Sequence, residues 1–195
     1  LETKTIFQPI FFWIWTPVNM RIISGKYKSR RIPVPANLKA RPTTDFARES
    51  LFNVLNNRVD WEETTALDLF SGTGSVALEF VSRGCPFVVN VETNQNHYNF
   101  ICKAQELLGA KELFPVKADV FKYLQSVKQK FDLIFADPPY DLQSIDTIPD
   151  LIFKKELLKP EGVFILEHSR KQNFSAHPHF VSERKYGNVH FSFFE

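Results

Sequence analysis

Strand-length apolar runs alternate with segments of helical periodicity from Thr64 onward, and this alternation constrains the fold more than any other feature of the sequence. The predicted strands cover residues 66–70, 87–91, 113–117, 131–136 and 162–167, and the predicted helices cover residues 75–82, 95–108, 120–127 and 149–158. Gly109 is expected to end the second of these helices, and Lys159-Pro160 is expected to end the last. Strands that alternate with helices build a parallel sheet covered by helices, so the pattern predicts an α/β fold.

The alternation changes near the C-terminus, where two apolar runs at residues 180–185 and 189–194 are separated only by Tyr186-Gly187-Asn188. A short link that contains glycine, between two strand-like runs, is typical of a β-hairpin. The sequence therefore predicts an open, mostly parallel sheet that finishes in an antiparallel hairpin, rather than a closed barrel.

The size and composition of the chain limit its class. Its 195 residues fit one domain, with or without an appendage, and 44% hydrophobic residues supply a substantial core. The longest apolar stretch, residues 6–18, is broken by prolines and is shorter than the roughly 20 residues that cross a bilayer, so no membrane partner is expected. Cys85 and Cys102 form no CxxC motif, which favours a reducing, cytoplasmic location. Because Met20 is the chain's single methionine, residues 1–19 are expected to be a non-native or extension segment.

Basic residues concentrate near the N-terminus. Between Arg21 and Arg48, eight basic residues stand against one acidic residue, so this stretch carries a formal charge of +7 and the rest of the chain −5. A hairpin is predicted at residues 21–34, and a helix is predicted from Thr43 or Thr44 to about Asn56. A basic segment on an acidic body is typical of a protein that docks a polyanion, although a solvated basic loop gives the same pattern.

Two glycines follow the first predicted strand, in the segment Asp68-Leu69-Phe70-Ser71-Gly72-Thr73-Gly74. Glycines among small residues let the backbone approach a ligand closely, and the helix that follows offers free N–H groups. Gly72, Gly74 and Ala77 match the pattern GxGxxG/A, and Glu92 lies 18 residues beyond Gly74, where it can bind ribose hydroxyls. This spacing fits any adenosine cofactor. Asp68 favours S-adenosylmethionine, because a carboxylate repels a pyrophosphate but attracts the ammonium group of that cofactor.

The segment Asp137-Pro138-Pro139-Tyr140 directly follows the fourth predicted strand. The Asp137 carboxylate and the Pro138 carbonyl are hydrogen-bond acceptors, and two successive prolines fix the backbone around them. Two acceptors can hold an exocyclic amino group and bring its delocalised lone pair out of the ring, while Tyr140 stacks on the base. The segment is therefore expected to be the catalytic site.

A second acid, Asp119, follows the third predicted strand and can accept the amino group of adenine, with Val120 and Phe121 as apolar walls. The same residue is also suited to be a helix N-cap, which is compatible with that role. The five histidines form no HExxH motif, and the chain contains neither GxSxG nor a Walker GxxxxGK[ST] motif. No metal site is predicted, and the hydrolase and P-loop classes lose support.

Together, these motifs resemble those of the S-adenosylmethionine-dependent amino methyltransferases. The segments Arg21-Ile22-Ile23-Ser24-Gly25, Arg30-Arg31-Ile32-Pro33-Val34-Pro35, Arg41-Pro42-Thr43-Thr44-Asp45 and Arg48-Glu49-Ser50-Leu51-Phe52-Asn53 are similar to one subfamily, the bacterial 16S ribosomal RNA guanine-N2 methyltransferases. The resemblance runs from Met20 to the C-terminus. One departure is Phe46, which stands where a basic residue is expected in the family.

The resemblance implies a Rossmann-like class I methyltransferase fold, with a seven-stranded sheet whose last strand is antiparallel. It implies methyl transfer from S-adenosylmethionine to the N2 of a guanine in 16S ribosomal RNA. Because the sequence contains no inserted module beyond the basic arm to read an RNA sequence, the base is expected to be presented within a small-subunit particle. The cofactor would be bound by Asp68, Phe70, Gly72, Gly74, Glu92, Asp119 and Val120, and the RNA by Arg21, Lys26, Lys28, Arg30, Arg31, Arg41 and Arg48.

Three parts of the chain are expected: the segment 1–19, a basic arm at residues 20–60 that docks RNA, and a methyltransferase domain at residues 61–195. Two other functions stay open at this point. The amino group could be the N6 of an adenine in DNA or RNA, because the Asp137 acceptors suit either amine. The glycines and Glu92 could instead serve a dinucleotide-binding oxidoreductase or regulatory module, which would leave residues 137–140 unexplained.

Overall fold

The structure, a computed structural model, describes residues 19–36, 38 and 45–195. The helices are α1 (Asp45–Leu55), α2 (Ser75–Arg83), α3 (Gln95–Leu108), α4 (Val120–Ser126) and α5 (Thr147–Lys154). The strands are β1 (Asn19–Arg21), β2 (Arg31–Pro33), β3 (Thr65–Leu69), β4 (Phe87–Glu92), β5 (Leu113–Lys117), β6 (Phe131–Ala136), β7 (Leu158–His168), β8 (Phe180–Tyr186) and β9 (Val189–Phe194). The predicted start of α1 at Thr43 or Thr44, and all but the last residue of the segment 1–19, lie outside the described residues. In the part of the chain that is described, the helices are too short or too polar to cross a bilayer.

Seven strands form one sheet in the order β5-β4-β3-β6-β7-β9-β8. The pairs β4–β5, β3–β4, β3–β6 and β6–β7 are parallel, whereas β9 pairs antiparallel with both β7 and β8. The predicted fold class is confirmed, including the antiparallel hairpin at the C-terminus and the antiparallel last strand. Since β3 and β6 are central neighbours on which the strand order turns, their carboxyl ends flank the switch point where α/β sheets bind ligands.

Helices cover both faces of the sheet, and each face has its own apolar core. One core contains side chains of α1, α2 and α3, including Phe52, Phe80 and Ile101. The other contains side chains of α4 and α5, including Leu124 and Ile152. Strands β3 and β6 contribute alternate residues to the two cores, which explains why they are nearly continuous apolar runs.

The prediction for residues 149–158 is wrong at its C-terminal end. Helix α5 ends at Lys154, and the segment Lys159-Pro160 lies within β7. The chain turns at Glu156, which has φ 51°, and the N–H of Leu157 donates to the carbonyl of Ile152 to close the helix. Pro160 is tolerated in the strand because the β6–β7 register shifts there, between Leu158 and Val163.

The hairpin predicted at residues 21–34 is confirmed as β1 paired with β2, and it packs on the domain rather than projecting from it. Met20 and Ile32 are buried in the same core as α1 and α2. The backbone N–H groups of Ile23 and Ser24 donate to the carboxylate of Glu79 in α2, at 2.9 and 3.0 Å. Glu79 is fully buried, so these hydrogen bonds join the hairpin to α2 inside the core.

Candidate functional site

The glycine-containing loop and the segment 137–140 are neighbours because they follow adjacent parallel strands. Leu69 at the end of β3 pairs with Ala136 at the end of β6. The N–H of Asp137 donates to the carbonyl of Leu69 at 3.3 Å, which continues the sheet into the loop. The two motifs that the sequence singles out are therefore brought together at the switch point of the sheet.

The loop after β3, residues 70–74, is held in an unusual conformation. Phe70, Gly72 and Gly74 all have positive φ angles, of 59°, 55° and 72°. The N–H of Gly72 donates to Glu92 Oε2 at 2.8 Å, so a carboxylate from the end of β4 holds the middle of the loop. A Cβ atom added at Gly72 would meet no atom within 4 Å, so the backbone there borders open space. The loop can therefore present its backbone to a ligand.

Asp68 lies under this loop and is almost completely buried, with 1% of its surface exposed. Its Oδ2 accepts hydrogen bonds from Ser71 Oγ at 2.8 Å and from the Ala77 N–H at 3.2 Å. Burial raises the pKa of Asp68 from 3.8 to about 7, against the lowering effect of these hydrogen bonds, and the negative charges of Asp137 and Glu92 raise it further. A carboxyl group with this pKa gains much from a cationic partner, because a positive charge stabilises its ionised form.

Asp119 is exposed and forms the N-cap of α4, since its Oδ1 accepts a hydrogen bond from the Lys122 N–H at 3.0 Å. Val120 beside it is buried. Phe121 meets Phe70 edge to face, with ring centroids 6.3 Å apart. The N–H of Ala118 donates to the Glu92 carbonyl at 3.2 Å. Asp119 thus lies just beyond the end of β4, on the same edge of the sheet as the glycine loop.

In the segment 137–140, Asp137 and Tyr140 are half-buried, Pro138 is buried and Pro139 is exposed. Tyr140 Oη donates a hydrogen bond to Glu167 Oε1 at 3.3 Å. Glu167 lies near the end of β7 and is not among the site residues that the sequence motifs predict. The signal was available, because Glu167 is an acid at the end of the predicted strand that follows the Asp137 strand along the chain.

The predicted RNA-binding residues fall into different environments. Arg21, Lys26, Lys28, Arg30 and Arg31 are exposed on the hairpin, and Arg41 lies outside the described residues. Lys26 pairs with Glu112 at 2.5 Å. Arg48 is a correction to the prediction: it is only 4% exposed and its Nη2 donates to the carbonyl of Arg21 at 2.8 Å. The Arg48 side chain lies between α1 and the hairpin, so it joins these elements instead of facing a ligand in solvent.

Phe46, the departure from the family pattern, is 69% exposed at the start of α1. It contacts Tyr186 edge to face, with ring centroids 6.1 Å apart. Tyr186 pairs with Val189 beyond the carboxyl end of β7, so this aromatic pair lies at the same edge of the sheet as Asp137.

Three polar side chains from different strands form a cluster. The sequence spacing does not predict this cluster, because its members are distant in the chain. Potential ligand atoms of His168, Glu183 and His190 lie within 4.8 Å of one another. His190 Nδ1 lies 2.8 Å from Glu183 Oε1, and His168 Nε2 lies 2.8 Å from Ser192 Oγ. Burial lowers the pKa of His168, which favours its neutral form. These contacts describe a hydrogen-bonded polar network between β7, β9 and β8.

Comparisons with known proteins agree with this architecture. A ribosomal RNA small subunit methyltransferase D from Buchnera aphidicola subsp. Baizongia pistaciae is 29% identical over 180 residues, which cover 90% of this chain and 91% of that relative. The structure of a hypothetical protein from Thermus thermophilus superimposes with a TM-score of 0.77 at 24% identity, over 90% of this chain and 98% of that chain. A ribosomal protein L11 methylase from Lactobacillus delbrueckii subsp. bulgaricus superimposes with a TM-score of 0.67 at 17% identity, over 97% of this chain and 89% of that chain. The fold is therefore the Rossmann-like fold of methyltransferases.

The family described as conserved hypothetical protein 95 matches residues 20–195. The match includes the N-terminal hairpin, the glycine loop, the segment 137–140 and the C-terminal hairpin. On this basis the chain belongs to the conserved hypothetical protein 95 family.

Proposed function

We propose that this protein transfers a methyl group from S-adenosylmethionine to the exocyclic N2 of a guanine in 16S ribosomal RNA. The observation that carries the proposal is the placement of the Asp137 and Pro138 acceptors one strand away from the glycine loop, at the switch point of the sheet. The name of the Buchnera relative supports a small-subunit ribosomal RNA substrate.

The residues around the glycine loop fit S-adenosylmethionine. The space above Gly72 allows a ligand to lie against the backbone, and a side chain at this position would occupy that space. Asp68 would hold the ammonium group of the cofactor, Glu92 its ribose hydroxyls and Asp119 its adenine amino group, while Phe70 and Val120 supply apolar contacts. When bound, the cofactor supplies a methyl group that is attached to a positively charged sulfur. After transfer of the methyl group, the sulfur remains in the product as a neutral thioether. A cofactor without phosphate suits a loop that borders the buried acid Asp68.

The acceptors of residues 137–140 prepare the amino group for the reaction. The Asp137 carboxylate and the Pro138 carbonyl accept the two hydrogens of N2, which draws the nitrogen lone pair out of conjugation with the ring. Tyr140 stacks on the base that has been turned out of its RNA stack, a contact worth about 1–3 kcal/mol by comparison with proteins that bind single strands. Fixing the nitrogen in line with the methyl group contributes several kcal/mol, up to about 7–11 kcal/mol.

The hairpin supplies the positive charge for binding the RNA. Its turn lies near the end of α2, since the Lys26 N–H donates to the Ser82 carbonyl and Lys26 pairs with Glu112 just before β5. Its strands lie nearer to the start of α1, since Arg48 donates to the Arg21 carbonyl. Phe46 at the start of α1 contacts Tyr186 at the carboxyl edge of the sheet, so we infer that the side of the hairpin with Arg21 and Arg31 faces the edge where Asp137 lies. We propose that RNA approaches along this side of the hairpin, within a small-subunit particle.

Replacing Asp137 with Ala tests the proposal. The Asp137→Ala variant should transfer methyl groups to small-subunit particles at least about 100-fold more slowly than wild type, as expected for loss of a central polar contact to the reacting group. Its affinity for S-adenosylmethionine, measured by calorimetry, should change by less than about threefold, because most of the cofactor contacts come from β3 and β4.

The matched control is Asp146→Ala. Asp146 is exposed at the start of α5 and its side chain makes no capping hydrogen bond, so this variant removes a nearby carboxylate outside the site. Methyl transfer by Asp146→Ala should equal that of wild type. Full methyl transfer by Asp137→Ala would exclude the proposed role of residues 137–140.

A further inference from the structure

Two aromatic side chains form a pair at the carboxyl edge of the sheet, outside the residues that the mechanism above uses. Phe46 is 69% exposed, the highest value among the large apolar side chains that the structure describes. Its ring meets that of Tyr186 at an interplanar angle of 80°, with ring centroids 6.1 Å apart. Tyr186 in turn packs against Phe191 of the core, with centroids 5.9 Å apart. The core therefore holds Tyr186 in place while the Phe46 ring faces solvent.

The order of the strands fixes where this pair lies relative to Asp137. Tyr186 ends β8, which runs in the same direction as β7 because both are antiparallel to β9. Since β6, β7, β9 and β8 are consecutive neighbours, Tyr186 lies three strand spacings from the Asp137 strand, or at least about 14 Å. A base that stacks on Tyr140 at Asp137 cannot also lie on this pair. The pair is therefore placed for another nucleotide of the same RNA strand.

Positive charges border the pair on both sides. Arg184 is exposed two residues before Tyr186 on β8, so it lies on the same face of the sheet as the tyrosine. Its guanidinium makes no hydrogen bond or ion pair with another residue that the structure describes. On the other side, Arg48 joins α1 to Arg21, whose strand partner Arg31 is exposed. Aromatic rings bordered by cations are complementary to bases and their phosphates.

The size of the pair and a nearby acid narrow the kind of partner. A stable protein partner needs roughly 800 Å² of surface on each side, whereas one aromatic side chain offers about 150–250 Å². Tyr186 is already half-buried, so the exposed area suits one base rather than a protein. Glu49 is exposed one turn after Phe46 on α1, which disfavours a phosphate at the Phe46 ring and favours the uncharged face of a base.

We propose that Phe46 and Tyr186 form a stacking platform for the base of a nucleotide that neighbours the methylated guanine, and that Arg184 binds a phosphate beside that base. Because the two rings are nearly perpendicular, a base stacked on Phe46 places its edge against Tyr186. The platform holds the flanking strand while the guanine is turned out of its stack toward Asp137. Stacking tolerates every base, so the platform adds affinity and little sequence specificity. This inference rests on the proposed function, since it names a second contact with the same RNA.

Replacing Phe46 with Leu tests the platform, because this variant keeps a large apolar side chain and removes the flat ring. The KM of Phe46→Leu for small-subunit particles should be at least about fivefold higher than that of wild type, as expected for loss of one stacked base. Its kcat should change less than about twofold, because the platform lies away from the reacting atoms. Phe46→Trp should restore the KM of wild type. An unchanged KM in Phe46→Leu would overturn the proposal.

The affinity of Phe46→Leu for 16S RNA freed of ribosomal proteins should fall by a similar factor. If the KM for particles rises but the affinity for the free RNA does not change, the partner is a ribosomal protein and the proposal is wrong. Phe46→Leu should also unfold at the same urea concentration as wild type. A lower midpoint would show that another part of the chain covers the Phe46 ring, which would also overturn the proposal.

The matched control is Phe114→Leu. Phe114 is 44% exposed near the start of β5, at the amino edge of the sheet and on the side opposite to β8. Its KM for small-subunit particles should equal that of wild type. For Arg184, the variant Arg184→Gln should reduce the slope of log affinity for the RNA against log salt by about one phosphate contact. Lys128→Gln, which removes an exposed charge just before β6, should leave the slope unchanged, and equal slopes for both variants would exclude the phosphate contact of Arg184.

Removing the base instead of the ring tests the same contact from the RNA side. Once the methylated guanine is located, particles are reconstituted with an abasic nucleotide at each flanking position in turn. At one position, the loss of the base should raise the KM of wild type at least about fivefold and leave that of Phe46→Leu unchanged, since the contact is already lost in the variant. The absence of such a position would overturn the platform.

The two proposals fail in different ways. If wild type places no label in N2-methylguanosine, the proposed function fails. If wild type forms N2-methylguanosine but Phe46→Leu has the KM of wild type, only the inference about the platform fails.

Discussion

At the scale of single residues, Asp68 combines two requirements that oppose each other. It is buried at the end of a central strand, yet it is the acid expected to hold a cationic group. Burial raises its pKa to about 7, so near neutral pH the empty site is balanced between the protonated and ionised forms. A cationic ligand would complete the site by stabilising the ionised form.

This pKa predicts how the stability of the protein without cofactor depends on pH. The pKa of Asp68 is raised from 3.8 to about 7 by folding, so the folded protein retains a proton that the unfolded chain loses. The resulting contribution to stability is complete below about pH 3.8 and is lost as pH rises through about 7. Asp68→Asn lacks this titration. The free energy of unfolding, measured with urea, should therefore fall less between about pH 5 and about pH 8 for Asp68→Asn than for wild type. Equal decreases would contradict the assignment.

Other residues have roles that the sequence alone does not assign. Arg48 belongs to a basic stretch, but its burial is set by the packing of α1 against the hairpin, two elements whose contact the sequence pattern does not specify. Glu167 resembles any acid at the end of a strand until the sheet order places it beside Tyr140. The roles of both residues depend on contacts between elements distant in the chain.

At the scale of secondary-structure elements, hydrophobic periodicity and glycine positions are sufficient to predict the bounds of an element that has one clear pattern. The bounds of α3, β5, β6 and β9 agree with the prediction to the residue, and Gly109 ends α3 in a left-handed conformation with φ 63°. The boundary between α5 and β7 could not be predicted in this way. Its turn uses Glu156 with φ 51°, a conformation that a non-glycine residue adopts only when tertiary contacts compensate.

The docking of the hairpin on α2 predicts a sensitive position. Gly25 has φ +78°, and a Cβ atom there would lie 1.7 Å from the Ser82 carbonyl oxygen. Gly25→Ala should therefore destabilise the protein by more than about 2 kcal/mol in urea unfolding, since backbone must move to relieve the clash.

Gly187→Ala is the matched control for this effect. Gly187 has φ +64°, but a Cβ atom there would meet nothing within 4 Å, so it tests the cost of the left-handed conformation alone. The free energy of unfolding of this variant should be about 1–2 kcal/mol lower than that of wild type. If the free energy of unfolding decreases no more for Gly25→Ala than for Gly187→Ala, the hairpin does not dock on α2 as described.

At the scale of the whole molecule, the exposed positive charges of the hairpin lie in the segment that connects its strands, residues 22–30, and on the adjoining pair Arg21 and Arg31. Lys26 at the turn is neutralised by Glu112, whereas Arg31 is exposed on β2 and forms no ion pair with another described residue. Arg31→Gln should therefore weaken binding to 16S ribosomal RNA and reduce the slope of log affinity against log salt by about one phosphate contact. Lys26→Gln, which removes the same charge, should have a smaller effect on that slope. Equal slopes for wild type and both variants would show that the hairpin does not contact the RNA.

Methylation of a guanine amino group in small-subunit ribosomal RNA can be tested by following the transferred methyl group. The protein is incubated with S-adenosylmethionine carrying a labelled methyl group and with small-subunit particles from a strain that lacks its gene, and the nucleosides of the RNA are then separated and identified. Label is expected in N2-methylguanosine, at one position of the 16S RNA. Label in N6-methyladenosine, or no label in the RNA despite measured binding of the cofactor, would contradict it.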